Sequence, residues 1–346
     1  MSAGELLRAR LTAQLLAGEP ARDPPAVARR LLAVQAQDPR GARLAVRARS
    51  AGQSAADVDR ALTEERSLTV GWLNRGTLHM VASEDYSWLH ALTAPRLVKA
   101  NARRLAQEGV SARAAERGVE VIERSLAEHG PLTRFELRDR LDRAGVRTAG
   151  QALVHLLMLA CLRGIAVRGP MKGKHHAYVL VRDWLGERPA VDANAALPEL
   201  ARRYLAGHGP AGDRDLAKWS GLPLRDARAG LERIAGELTQ RKDGLLDLGR
   251  RPAPPAEALP PPRLLGPFEP LLLGWASRAA VLGEHERDVI SGGLFRPIAL
   301  AGGRALATWR LSEGRVELEP FGALAPAVAT ALEADAAELE RYLEPV

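Results

Sequence analysis

Amphipathic stretches at helical spacing alternate along the chain with short apolar runs that end at glycine or proline. This pattern predicts helices over residues 3–16, 25–34 and 55–65, then strands over 69–74 and 77–82 around the turn Arg75-Gly76. A long helix over 83–108 follows. One segment then recurs. Leu126-Ala-Glu-His129-Gly130-Pro131 reappears as Leu205-Ala-Gly-His208-Gly209-Pro210, and Leu137 matches Leu216 at the same offset. Each copy closes an amphipathic helix, 119–129 and 197–208, with glycine for the left-handed C-terminal position and a proline that cannot continue the helix. A second helix starts at once, with Thr133 and Glu136 at capping-box spacing in the first copy. A third is predicted over 149–163 and 223–237. Strand-like 164–168 and 177–181 flank a turn over 169–174, so the first copy reads as three helices and a hairpin, the winged-helix pattern. The second copy offers 244–248 as one candidate wing strand, and the N-terminal part shows the same order less regularly.

Residues 250–262 carry six prolines in thirteen positions and read as an extended linker. Beyond them, 297–300 and 305–311 form a hairpin around Ala301-Gly302-Gly303-Arg304, 316–320 adds a strand, and 326–343 closes with a helix. The expected fold class is mainly α with small β-hairpins: tandem winged-helix modules plus a C-terminal β-rich region. The division is a first module with its linking helix over 1–110, a second over 111–190, a third over 191–250, and linker, β-rich region and closing helix over 251–346. A chain of 346 residues can bury several cores of this size.

Composition adds limits. Hydrophobic residues at 46% and charged residues at 26% are ordinary for a soluble globular chain. At 4% aromatic, a large aromatic-lined ligand cavity is not the first expectation. The single cysteine, Cys161, excludes an internal disulfide framework and a cysteine-based zinc cluster, and its place in the apolar run 153–162 points to packing. No stretch approaches the roughly 20 apolar residues of a membrane span, and the N-terminus lacks the features of a signal peptide. A cytoplasmic location is expected. A net charge of +7 and a pI of about 10.0 favour a polyanionic partner. Only five of the 49 basic residues are lysine (Lys99, Lys172, Lys174, Lys218 and Lys242). GC-rich coding explains that bias, but arginine forks still grip phosphate in two-pronged fashion.

Candidate chemistry lies outside the usual recognition helix. Between 152 and 162 the only polar side chain is His155, and a helix apolar on every side is buried, not aimed at base edges. That counts against a sequence-reading transcription factor. The wing tip, with Lys172, Lys174, His175 and His176, is the more plausible DNA contact; a solvated turn is the alternative. Upstream, Gln35 and Gln37 project to one side if the chain is extended there, and Arg40, Arg43, Arg47 and Arg49 follow. On residue chemistry alone, a polar helix end fits the same segment.

Gln35-Ala-Gln37-Asp38-Pro39, Trp72-Leu-Asn-Arg75-Gly76-Thr77-Leu78-His79-Met80-Val81, Phe268-Glu-Pro-Leu-Leu-Leu-Gly274 with Arg278, and Gly303-Arg-Ala-Leu-Ala-Thr308-Trp309-Arg310 together resemble the AlkZ-type DNA glycosylases. That winged-helix superfamily also includes YcaQ-type proteins, and Gln-x-Gln, in place of Gln-x-Asp, matches the AlkZ branch. The resemblance implies tandem winged helices around a concave DNA channel, with Gln35 and Gln37 catalytic and Asp38 a charged alternative. With the charge pattern, it makes Arg40, Arg43, Arg75, Thr77, His79, Lys172, Lys174, His175, Arg278 and Arg310 the candidate DNA contacts. His79 can equally pack on its module, and packing is favoured over base stacking for Trp72, Trp275 and Trp309. The implied activity is monofunctional hydrolysis of the N-glycosidic bond of N7-alkylated guanine or other purines. Bulky natural-product adducts or interstrand crosslinks are included, as in relatives that protect antibiotic producers. The partner is double-stranded DNA carrying alkylated bases, bound by a monomer with no cofactor and no metal. Glutamine does not titrate, but an N7-alkylated purine is already cationic and leaves without protonation. What remains is an oxocarbenium-like sugar to stabilise and a water to place. A non-catalytic winged-helix DNA-binding regulator is the alternative; a protein scaffold fits the modules but not the charge.

Overall fold

A computed structural model describes residues 2–173, 175–187, 191–249, 255 and 259–343. The chain forms two compact units: residues 60–196 make one, and residues 1–59 with 197–346 make the other.

In the 60–196 unit, Leu68–Leu73 pairs antiparallel with Thr77–Ala82, placing Gly71 opposite His79 and Leu73 opposite Thr77. Asn74 and Gly76 turn the chain with φ of 47° and 83°. The helices that follow are Tyr86–Gln107, Ala112–His129, Arg134–Arg143 and Ala152–Leu162. The second of these starts earlier than expected because the Ser111 side chain caps it by accepting from the Ala114 backbone N–H. Thr133 and Glu136 form the predicted capping box, each side chain taking the other's backbone N–H. Ala152–Leu162 packs with Ile122, Leu126, Leu137 and Leu141, but it is not covered on every side as its composition predicts: Val154 is exposed, and Leu153 and Met158 are half-buried. Its one polar side chain, His155, meets the amide oxygen of Asn101 at 2.7 Å. Cys161 lies inside this core, and burial pushes its thiol up to about 12, an inert position.

The wing differs from expectation. Its strands, Ala166–Lys172 and His175–Leu180, run almost to the tip, and the register shifts between Arg168 and Met171. Gly169-Pro170 is therefore an irregularity inside a strand, not part of the turn. Proline cannot donate to the ladder, and a Cβ on Gly169 would lie 2.6 Å from Val179. Lys174 lies outside the described residues.

In the other unit, the second copy of the repeat has helices Ala193–His208, Asp213–Ser220 and Leu224–Arg233 and a complete hairpin, Leu238–Gln240 with Leu246–Leu248. The sequence pattern supplied only the second of those strands. The two His-Gly-Pro copies also do different work. Gly130 takes the left-handed conformation at φ 71° and His129 is exposed. Gly209 does not; it is small because a Cβ would stand 2.6 Å from the Leu205 carbonyl oxygen. His208 is buried, stacked on Tyr204 at 4.7 Å and edged by Trp275 at 5.7 Å. The Trp275 indole donates to the His208 carbonyl, and Tyr204 donates to the carbonyl of Gly274.

The C-terminal sheet runs in the order Arg315–Pro320, Arg304–Ser312, Ile298–Ala301, Arg263–Leu265. The last strand was not expected, and it follows directly on the proline-rich 250–262, most of which lies outside the described residues. Helix Pro326–Leu343 covers this sheet, so that Leu264, Ala299, Trp309, Leu332 and Leu339 make one core with Leu44. No helix among the described residues is long and apolar enough to cross a membrane.

Candidate active site

The glutamine segment is set by its flanks. Helix Pro24–Leu31, capped by the Asp23 side chain, ends at Leu32, whose φ of 65° turns the chain into the short strand Val34–Gln35. Asp38 then caps helix Pro39–Arg47, its Oδ1 accepting from the backbone N–H groups of Arg40 at 2.8 Å and Gly41 at 3.1 Å. Asp-Pro is an N-cap and first-turn signature, and reading it that way would have located this helix from sequence. Between strand and cap, the two glutamines meet. Gln35 Nε2 donates to Gln37 Oε1 at 2.7 Å. Gln35 is 6% exposed, whereas Gln37 faces solvent. One amide is thus fixed and buried, and it orients a second that is open to a ligand.

The helix behind this pair is held by residues far along the chain. A Cβ on Gly41 would lie 2.5 Å from the Pro267 carbonyl oxygen, so only glycine lets that loop pass. Arg49, just beyond the helix, is fully buried and ion-pairs with buried Glu269. Its other donors reach the Gln14 carbonyl and side-chain oxygens at 2.9 Å and the Ala45 carbonyl at 3.1 Å. Arg47 pairs with Asp335 at 2.8 Å. Arg43 pairs with Asp59, and its carbonyl accepts from the Tyr342 hydroxyl at 2.9 Å. Of the two candidate DNA contacts in this segment, Arg40 is exposed and only 3.8 Å from Asp38, while Arg43 is largely covered. Sequence reasoning missed Glu269 as a partner, although a lone acid inside Phe268–Gly274 was the available signal.

Elsewhere in this unit, Arg278 donates to the Leu272 carbonyl at 2.7 Å and lies over Phe295. Arg310 is exposed and bonded to Glu317 across the sheet. Trp275 and Trp309 are buried with both indole N–H groups bonded to backbone carbonyls, so they pack.

In the 60–196 unit, Thr77 and His79 share one face of their hairpin. The His79 Nδ1–H donates to the Thr77 carbonyl at 3.0 Å, and the ring is 2% exposed. Burial, with help from the Arg75 charge, pushes His79 down to about 3, so it is neutral near pH 7. That leaves Nε2 as a hydrogen-bond acceptor, not a cationic phosphate clamp. The side-chain amide of Asn74 and the hydroxyl of Thr77 are buried with no hydrogen-bond partner among the described residues. Trp72 is buried against Tyr178. At the wing, Lys172 Nζ ion-pairs with Glu136 at 3.0 Å and donates to the Pro131 carbonyl at 3.2 Å. His175 is exposed and edges onto Phe135. No group of three or more His, Cys, Asp or Glu side chains placed to hold a metal ion occurs among the described residues.

His208, in the other unit, is also pushed down to about 3, first by burial. Both histidines are neutral in the folded and unfolded chain above the ordinary value of 6.5. Below it the unfolded chain takes up protons that the folded chain refuses, so stability falls progressively between about 6.5 and 3. Moving from pH 7 to pH 5 should cost ~2 kcal/mol for each histidine. Urea unfolding at both pH values checks this, and His208→Phe, which keeps a ring in the stack, should flatten the dependence. Equal stability of the wild-type protein at both would refute it.

The arrangement of a buried and an exposed glutamine ahead of a capped helix lies within a longer match. The model of the AlkZ-like DNA glycosylases matches residues 28–342. The chain belongs to this AlkZ-like family. Its fold is that of the Streptomyces sahachiroi DNA glycosylase AlkZ, with a TM-score of 0.79 over 99% of this chain and 96% of that one, at 24% identity. No curated protein matches. Within the AlkZ-like family frame, the buried ion pair and the close approach at Gly41 are the scaffold that holds the glutamine segment in place.

Proposed function

We propose that this AlkZ-like glycosylase hydrolyses the N-glycosidic bond of N7-alkylated guanine and related purines by a monofunctional route, with Gln37 placing the water and Gln35 orienting Gln37. The observation that carries this reading is the Gln35–Gln37 bond with its exposed, non-titrating outer amide. A cationic leaving base needs no general acid, which suits a site whose two central groups cannot donate a catalytic proton. The C1′–N9 bond breaks with its electron pair going to the purine, which cancels the base's positive charge. Water adds to the oxocarbenium carbon and releases its proton to solvent. The Gln37 amide oxygen, polarised by the bond from Gln35, accepts from that water and presents a negative dipole to the sugar. Asp38 spends one oxygen on two backbone N–H groups, which supports a role in fixing the segment. Bulky N7 adducts and interstrand crosslinks formed through N7 belong to the same chemistry, since each carries an N7-alkyl purine.

Incubation with duplexes carrying an N7-methylguanine, a bulky N7 adduct or an N7 crosslink tests the proposal. Free modified base should appear, strand breaks should require hot alkali, and borohydride should trap no protein–DNA adduct. Binding without base release on all three would favour the regulator reading instead. A borohydride adduct would show a lysine nucleophile and overturn the monofunctional step.

The wing is proposed as a phosphate-binding element. The exposed Lys172–Glu136 pair costs only about 0.2–1 kcal/mol to open. Replacing Lys172 and Lys174 with alanine should weaken duplex binding and flatten the log affinity against log salt slope by up to ~0.9 for each phosphate no longer neutralised. An unchanged slope would place the wing away from DNA.

A further inference from the structure

A cavity of ≈ 450 Å³ in the 60–196 unit lies apart in sequence from the glutamine segment and has an unusual lining. Its walls carry Arg134, Arg138 and Arg168, the rings of Trp72, Phe135 and Tyr178, and an apolar patch of Leu153, Val154 and Leu157, with no acidic side chain. In a chain where many arginines meet a carboxylate, Arg134 and Arg168 have none among the described residues. Arg168 lies over rings instead: its guanidinium carbon is 4.6 Å from the Tyr178 ring centre and 5.6 Å from that of Trp72. Its Nε is buried and has no hydrogen-bond partner among the described residues. Arg134 and Arg138 lie over Phe135 at 4.6 and 5.5 Å. Three of the chain's few aromatic rings are thus gathered here, against the expectation from composition.

A buried guanidinium nitrogen without an acceptor is costly unless a ligand supplies one. Cations alone would suit any anion. Guanidinium groups, the half-buried Phe135 ring and an apolar wall beside them suit an anion that carries an aromatic ring. The volume falls within the range of small-molecule sites, about 300–1,000 Å³. We infer that this cavity is a nucleotide subsite, in which Arg134 and Arg168 bind a phosphate and the half-buried Phe135 ring with the apolar patch receives the attached base. The chemistry is the same whether the nucleotide is free or is an unpaired residue of a DNA strand. The subsite does not depend on Gln35 or Gln37.

Wild-type protein, Gln37→Ala and Arg134→Gln/Arg168→Gln are titrated with thymidine 5′-monophosphate by calorimetry. The same proteins are titrated by fluorescence anisotropy with labelled duplexes, either blunt or ending in a three-nucleotide single-stranded overhang. Wild-type and Gln37→Ala should bind alike, and the double arginine variant should lose roughly tenfold in affinity. Binding of the monophosphate assigns a free nucleotide; an overhang preference without it assigns a DNA strand. Should the double variant melt early, Arg134→Gln alone, on an exposed position, should still weaken binding at least about threefold. Binding of neither ligand, affinities unchanged in both arginine variants, or inorganic phosphate competing as well as the nucleotide would overturn the assignment.

Discussion

Gln37→Ala should lower single-turnover base release from an N7-alkylated duplex by roughly 10² or more, the scale of removing one preorganised transition-state dipole. In the proposed reaction the exposed Gln37 amide is the group that meets the water, and its removal leaves neither a cavity in the core nor an unpaired charge. Folding and duplex affinity should therefore stay close to wild type. Gln35→Ala acts differently. It removes the donor that fixes the Gln37 amide, so excision should fall by a smaller factor while the pH profile keeps its shape. Gln37→Glu is a useful contrast, because a carboxylate retains an acceptor for water and adds attraction for the cationic sugar. Wild-type excision by Gln37→Ala would remove this residue from the mechanism and shift attention to Asp38.

Arg49→Met should destabilise the protein by about 3–5 kcal/mol, because it leaves the Glu269 carboxylate buried without its counter-charge. Arg49 is 0% exposed and Glu269 1%, so neither group can be rescued by water without opening the core. Glu269 also caps the short helix Pro270–Leu273 by accepting from the Leu271 N–H at 3.1 Å. Arg49→Met/Glu269→Gln should cost less than the sum of the two single changes, since no uncompensated charge then remains. Urea midpoints for the two singles and the double measure this coupling. Singles that each fall within about 1 kcal/mol of wild type would show that the pair is not what holds the glutamine helix to the C-terminal segment.

Much of the local architecture was legible in sequence. The Thr133–Glu136 capping box, the hairpin around Arg75-Gly76, the apolar helix Ala152–Leu162 and the closing helix Pro326–Leu343 all appear where pattern placed them. Each is governed by residues within about four positions, through caps, turn conformations and periodic apolar faces. The same holds for the glutamines: placed two positions apart, they bring their side chains together, and Gln35 bonds Gln37. The first strand of the second wing and Arg263–Leu265 were not legible, because short strands are made by their partners more than by their own composition.

Which charged residues are available for a ligand was decided by tertiary structure alone. Arg40, Arg43, Arg47 and Arg49 are four similar residues within ten positions. Only the fold brings Asp59 to Arg43, Asp335 to Arg47 and Glu269 to Arg49, leaving Arg40 exposed. Lys172 likewise meets Glu136, and Arg168 meets rings instead of an acid. Sequence determines what charge a side chain carries. The energy of that charge depends on what lies within a few ångströms and on how much water remains, and for residues up to 288 positions apart both are set by packing.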